Sequence, residues 1–212
     1  MAGTDEHRPD PNLTYYQVEA APFFATTVAV DMTTLYAPFL ARLAPGAAIL
    51  DAGCGSGRDA RTFRDLGYAV TALEPAPALA RLAEAHVGLP VEVRRFQDID
   101  WVSRFDGIWA CASLLHVPLA ELPDALQRLA CALRPDGVLY VSFKYGHGER
   151  EHGGRRFTDL DEAGLAEAIQ TVPQLAIIDH WLTPDQRPER AAEHWFNTLL
   201  QRLETASQDG ND

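Results

Sequence analysis

Cysteine is sparse in this chain. Cys54, Cys111 and Cys131 are the only three in 212 residues, and no C-x-x-C pair occurs. The usual zinc-site signature is therefore missing, and thiols this few and scattered point to a reduced, cytosolic setting. Positive charge is also short. Eighteen Lys and Arg stand against thirty Asp and Glu, a net charge of −12. Non-specific binding of nucleic acid rests on Lys and Arg against phosphate, so no nucleic-acid partner is expected. No apolar run approaches the roughly 18 residues that cross a bilayer, so no membrane partner is expected either. Met1 to Pro11 is polar, carries acids and prolines, and does not read as a signal peptide. No internal repeat is visible. What the chain does have is 47% hydrophobic residues, ample for the core of one domain.

The chain is organised around Ile49-Leu50-Asp51-Ala52-Gly53-Cys54-Gly55-Ser56-Gly57-Arg58-Asp59. An apolar run ends in an acid, three glycines follow at alternate positions, and a helical segment begins. A strand, a tight glycine turn and a helix start make a corner suited to a nucleotide-like ligand: glycine lets the backbone take positive φ and lets a ligand come close, and the helix start supplies free N–H groups. A dinucleotide fingerprint needs G-x-G-x-x-G. Read from Gly53, its third glycine falls on Arg58, which argues against a nicotinamide-dependent oxidoreductase.

Before the corner, residues 1–12 read as a disordered tail and Leu13–Thr27 as a helix interrupted at Pro22. Asp31 caps a helix over Met32–Leu43, stopped by Pro45-Gly46. After the corner, helix 58–66 ends at Gly67. Strands follow at 68–73, 91–94, 105–111 and 138–143, with helices at 77–86 and 119–133 between them. Residues 144–157 read as a mobile Gly-rich loop, 160–170 as a helix, 174–182 as a strand and 206–212 as a disordered tail. Residues 190–203 fit either a helix or a strand. This alternation predicts an α/β fold: a parallel sheet with helices on both faces and right-handed crossovers. Ligands then bind at the carboxyl ends of the strands. Glu74 ends the second strand, where a carboxylate can accept both hydroxyls of a ribose.

The pattern D-A-G-C-G-S-G resembles the first motif of class I S-adenosylmethionine (SAM) dependent methyltransferases. Phe105-Asp106-Gly107-Ile108 with His116 resembles that family's fourth-strand motif, and Leu133-Arg134-Pro135-Asp136-Gly137 its turn before the fifth strand. The resemblance covers roughly residues 13–203. It implies a Rossmann-like, seven-stranded, mostly parallel sheet with the last strand antiparallel, which favours a strand at 194–200. It implies a helical lid over 13–46 on a methyltransferase domain at 47–205. It also implies SAM as the methyl donor, S-adenosylhomocysteine as its product and a small-molecule acceptor. A SAM-binding regulatory protein without turnover is the non-enzymatic alternative.

Carried onto this sequence, Asp51, Ala52, Gly53, Cys54, Gly55 and Gly57 hold the methionine part of the cofactor. Tyr16 contacts its carboxylate, with Arg58 as salt partner. Glu74 and Pro75 meet the ribose, Phe96, Gln97 and Asp98 the adenine, and Ala112 lies beside the methyl. Phe96 either stacks on the base or packs in the core. His116, with an ordinary pKa near 6.5, is the candidate general base; the alternative is a packing role. The segment after the fifth strand borders the acceptor pocket in this family. There Tyr145, His147, Arg155 and Arg156 are candidate acceptor contacts, and the arginines suit an anionic group. The alternative is a solvated loop whose arginines pair with nearby acids. His147 and His152 lack a third ligand, so no metal is expected.

Overall fold

The computed structural model describes residues 10–204 apart from 188, 189 and 191. The tail expected at 206–212 lies outside the described residues. Of the tail expected at 1–12, residues 10–12 are described, and they are ordered. Asp10 caps the first helix by accepting the Asn12 N–H at 2.9 Å, and Asn12 is buried.

Helices α1 (Pro11–Val18) and α2 (Ala20–Thr27) meet at Glu19, not at Pro22. Pro22 falls in the first turn of α2, where a missing N–H costs nothing. Asp31 accepts the Thr33 N–H at 2.9 Å, and α3 spans Thr33–Leu40. β1 (Ala48–Ala52) then enters the sheet, followed by α4 (Arg58–Asp65), β2 (Ala69–Leu73), α5 (Pro77–Val87), β3 (Val91–Glu92) and β4 (Phe105–Ala110). After α6 (Leu122–Ala132) comes β5 (Leu133–Lys144). β5 includes the Arg134–Gly137 segment read as a turn; its regular pairing with β4 starts at Gly107↔Val138, after a register shift.

The segment read as a mobile loop is mostly a β-hairpin, β6 (Gly148–His152) with β7 (Arg155–Asp159). Gly153 and Gly154 close it at φ +57° and +74°. Two positive-φ residues make the hairpin turn whose twist matches the flanking strands. α7 (Glu162–Ile169), β8 (Leu175–Pro184) and β9 (His194–Arg202) complete the fold. The 190–203 ambiguity resolves as a strand from His194.

The seven-stranded sheet runs β3-β2-β1-β4-β5-β9-β8. β1 to β5 are parallel, and β9 enters antiparallel between β5 and β8. Both faces are covered, as a parallel sheet requires. Alternate residues of one strand therefore enter opposite cores. Leu50, Ile108 and Leu139 face one core; Ile49, Trp109 and Tyr140 face the other, with Leu35, Tyr36 and Phe39 of α3. α3 is thus part of the core, and only α1 and α2 of the expected lid lie over the strand ends. The chain leaves β1 towards β2 and β3, then returns to β4 on its other side. That reversal opens a crevice at the carboxyl ends of β1 and β4.

Candidate functional site

The glycine turn forms the floor of the crevice. Gly53, Gly55 and Gly57 hold φ of +79°, +55° and +75°, a region other residues adopt at a cost. The Gly53 and Cys54 N–H groups donate to the Leu73 carbonyl at 3.0 and 2.8 Å, tying the turn to β2. Close approach explains the glycines differently one by one. A Cβ on Gly53 would stand 2.6 Å from Ser113 Cβ, and one on Gly55 would meet the Phe23 ring at 3.3 Å. A Cβ on Gly57 would stand 2.5 Å from Val87 Cγ2, so that glycine serves the packing of α4 on α5.

Two cavities, of about 350 and 340 Å³, meet over this turn. Tyr16, Phe23, Gly53, Gly55, Ala112 and His116 line both. The cavity towards β2 has Glu74, Pro75, Phe96 and Gln97 in its wall, with Arg156. The cavity towards β5 has Cys54, Arg58 and Arg155, with the unforeseen Trp195, Asn197 and Pro184–Arg187. The Trp195 Nε1–H donates to Asp185 at 3.0 Å, and the ring forms cavity wall.

Several expected contacts lie elsewhere. Asp51 and Ala52 are buried beneath the turn, and Asp98 accepts from Arg95 away from the cavity. Tyr145 is 47% exposed. His147 faces Asp161 at 3.3 Å, with most of its side chain exposed. Neither lines these two cavities; both precede the hairpin, Tyr145 bridging to Leu160 and His147 facing Asp161.

Arg58 is already paired. Its Nε and Nη2 donate to Asp59 at 2.6 and 2.9 Å. Tyr36 Oη and Trp109 Nε1 donate to the same carboxylate at 2.7 and 2.8 Å, so Asp59 has four donors. Burial opposes its charge, but Arg58 and these bonds prevail, and its pKa lies below the usual range. Asp51 behaves oppositely. Burial first, and the neighbouring Asp59 charge second, push its carboxyl well up, and its Oδ2 has no hydrogen-bond partner among the described residues.

Glu74 Oε2 accepts the Gly55 N–H at 3.1 Å and Oε1 accepts the Ala76 N–H at 3.0 Å. Burial outweighs these bonds and lifts its pKa to about 7. His116 departs from the expected base. Its Nε2 lies 2.8 Å from Tyr16 Oη and its Nδ1 3.0 Å from the Arg156 carbonyl. A carbonyl only accepts, so Nδ1 carries the proton and Nε2 accepts from the tyrosine. Burial lowers its pKa to about 4, which makes it a weak proton acceptor near neutrality.

The residues missed from the sequence are Asn12, Phe23, Ser113 and Trp195. Asn12 Nδ2 donates to the His116 carbonyl at 3.1 Å, and its Oδ1 accepts the Arg156 N–H at 2.8 Å. Ser113 Oγ donates to the Ala52 carbonyl at 2.7 Å. No local pattern marks Asn12 or Ser113, whose partners lie 104 and 61 positions away. Among the described residues, no group of three or more His, Cys, Asp or Glu is placed to hold a metal, and no helix is long and apolar enough to cross a membrane.

A family model described as "Methyltransferase domain" matches residues 24–181. A ubiquinone biosynthesis O-methyltransferase of Xanthomonas axonopodis pv. citri is 38% identical over 112 residues, which are 48% of this chain and 45% of that protein. One from Methylobacterium nodulans is 34% identical over 101 residues, 44% of this chain and 39% of that protein. The match thus spans less than half the length of these curated relatives. Burkholderia thailandensis 1,6-didemethyltoxoflavin-N1-methyltransferase, solved with 1,6-didemethyltoxoflavin and S-adenosylhomocysteine, is 26% identical with a TM-score of 0.70, covering 96% of this chain and 95% of that one. A SAM-dependent methyltransferase of Methanosarcina mazei, 18% identical with a TM-score of 0.71 over 82% of this chain and 100% of that one, shares the fold.

Proposed function

The chain belongs to the Methyltransferase domain family, and from that premise we propose that it moves a methyl group from SAM to a small-molecule acceptor, releasing S-adenosylhomocysteine. The observation that carries this reading is the pair of cavities joined over the glycine turn, with Glu74 in one and an open wall of mixed polarity in the other. The residues present fit the cofactor. Side chains on Gly53 or Gly55 would intrude where the turn is approached, and the Glu74 carboxylate stands in the wall of the adjoining cavity. When bound, SAM supplies a methyl made electrophilic by its sulfonium charge.

The chain's own residues do the rest. Glu74 accepts the ribose hydroxyls, Pro75 packs beside it, and Phe96 and Gln97 flank the adenine. Gly53, Cys54 and Gly55 present backbone to the methionine part. Ala112 borders the point where the two cavities join, so the acceptor reaches the methyl from the β5 side. Tyr16 and Phe23 of α1 and α2 close the junction from above and exclude water. Asp51, Ala52, Gly57 and Asp98 act by shaping the turn and its flank. Arg58 gives its charge to Asp59, while Arg155 lines the β5-side cavity and Arg156 the β2-side one. The relatives' names, a ubiquinone O-methyltransferase and a toxoflavin-precursor N-methyltransferase, support a small-molecule acceptor.

Titration calorimetry tests the cofactor. SAM and S-adenosylhomocysteine should bind and NAD should not; no binding of either adenosyl compound at millimolar concentration overturns the proposal. Release of S-adenosylhomocysteine with an acceptor library separates an enzyme from a sensor.

A further inference from the structure

Resting on the methyl-transfer reading above, we propose that the acceptor is a planar molecule whose methylated atom is an acidic oxygen, a phenol or enol, bound as its anion against the guanidinium of Arg155. The other cations of the β5-side cavity are balanced. Arg58 is held by Asp59, Lys144 by Glu193, Arg187 by Asp185, and Arg190 lies 3.9 Å from Glu193. Arg155 has no carboxylate within 4 Å among the described residues. Among the described residues its Nε is buried without a hydrogen-bond partner, and its one hydrogen bond there runs from Nη1 to Tyr16 Oη at 3.4 Å.

The setting suits a flat anion. The guanidinium lies 4.4 Å from the Tyr15 ring centroid and 5.1 Å from that of Phe157. Tyr15 backs the guanidinium from outside the cavity, and Phe157 lines the cavity beside it, so a flat guest can lie against an apolar wall next to the charge. Arg155 lines the β5-side cavity, and its Nη1 is 3.4 Å from Tyr16 Oη, a residue of both cavities, so the charge stands beside their junction, where the acceptor atom must meet the methyl. A cation remote from that junction would only anchor a distant carboxylate.

The same junction offers no free base. Both ring nitrogens of His116 are engaged, by Tyr16 and by the Arg156 carbonyl. Asp59 has four donors, Asp185 accepts from Arg187 and Trp195, and Glu193 is held by Lys144. Cys111 is a half-buried thiol whose pKa desolvation pushes up to about 12. His152 is exposed on the hairpin's end, at the mouth of the cavity. Ionisation is instead driven by charge: an opposite charge within about 4–6 Å lowers a pKa by about 1–3 units. The proton leaves to solvent on binding. The oxygen anion then forms the bond to the methyl carbon while the carbon–sulfur pair stays on sulfur, so an anion and a sulfonium become two neutral groups.

The test uses 4-nitrophenol, whose phenolate is coloured, with protein saturated by S-adenosylhomocysteine. At a pH below its solution pKa it should bind as the coloured anion, its apparent pKa lowered by about 1–2 units. Arg155→Gln should abolish the shift and weaken binding about tenfold, with S-adenosylhomocysteine affinity unchanged as the control for folding. Arg155→Lys should keep part of the shift. Binding as the neutral phenol, no binding, or an unchanged shift in Arg155→Gln overturns the inference. Loss of S-adenosylhomocysteine affinity in Arg155→Gln with the shift intact assigns Arg155 to the cofactor's carboxylate and overturns it as well. Failure of the unaltered protein to bind S-adenosylhomocysteine sinks the methyl-transfer reading too, whereas cofactor binding without a phenolate shift sinks this inference alone.

Discussion

Glu74 ties protonation to ligand affinity through one carboxylate. Burial sets its folded pKa at about 7, above the ordinary 4.5. The folded chain therefore keeps a proton that the unfolded chain has lost. This favours folding at low pH, and the contribution disappears as pH rises from about 4.5 to about 7. Ribose hydroxyls donate, so they select the ionised form. SAM affinity should be about tenfold weaker at pH 6 than at pH 8, and Glu74→Ala should weaken it by at least about tenfold and remove that dependence. Calorimetry at the two pH values decides; a flat profile in the unaltered protein means the ribose does not meet Glu74. Gly53 gives a second prediction at this scale. Gly53→Ala places a Cβ 2.6 Å from Ser113 Cβ at φ +79°, costing about 2–4 kcal/mol by urea unfolding. Full stability would mean the turn relaxes freely. Glu74 and Gly53 were both legible in the sequence, because a strand end and a glycine turn are local. The weakness of His116 as a base was not, because it follows from burial, which outweighs the opposing bond to the Arg156 carbonyl 40 positions away.

Among the elements, α1 and the β6–β7 hairpin close the site together. Asn12 bridges the His116 carbonyl and the Arg156 N–H, so one buried amide joins α1, the segment after β4 and β7. Asn12→Ala leaves both backbone groups without that partner, at about 1–3 kcal/mol, and removes the amide that ties α1 to both neighbours at once. Amide exchange over residues 11–18 should quicken and S-adenosylhomocysteine should dissociate faster, with exchange in β1 and β4 unchanged. Slow exchange in α1 of the variant would show that Tyr16 and Phe23 suffice to seat it. The helix α1 itself was readable from its composition, but its seat was not. The hairpin was read as a loop because its glycines and charges were taken for mobility, although Gly153-Gly154 between two short runs is a hairpin signal.

The whole molecule places the site at a reversal of strand order, and ligand binding there should be felt by the entire fold. A ligand at about 100 times its Kd stabilises by about 2.7 kcal/mol. For a chain of this size each kcal/mol moves Tm by about 2–4 °C, so saturating SAM should raise Tm by about 5–10 °C while NAD leaves it in place. A shift with NAD and none with SAM would reverse the cofactor assignment. The sequence by itself determined the alternation of strands and helices, the glycine turn after β1, the carboxylate ending β2 and hence the kind of ligand the crevice takes. Each of these is written in residues next to one another, where φ preference, periodicity and capping act. Only the tertiary structure decided which charges at the turn and the hairpin are spent and which are open. Arg58 is neutralised by Asp59 with Tyr36 and Trp109 around it, Arg155 stands among aromatic rings without a carboxylate, and His116 is tied at both nitrogens. Charge balance and desolvation are properties of side chains brought together by folding, and no local pattern records them. The glycine turn thus names the donor of the methyl group, and the proposal for its recipient rests on the packing around Arg155.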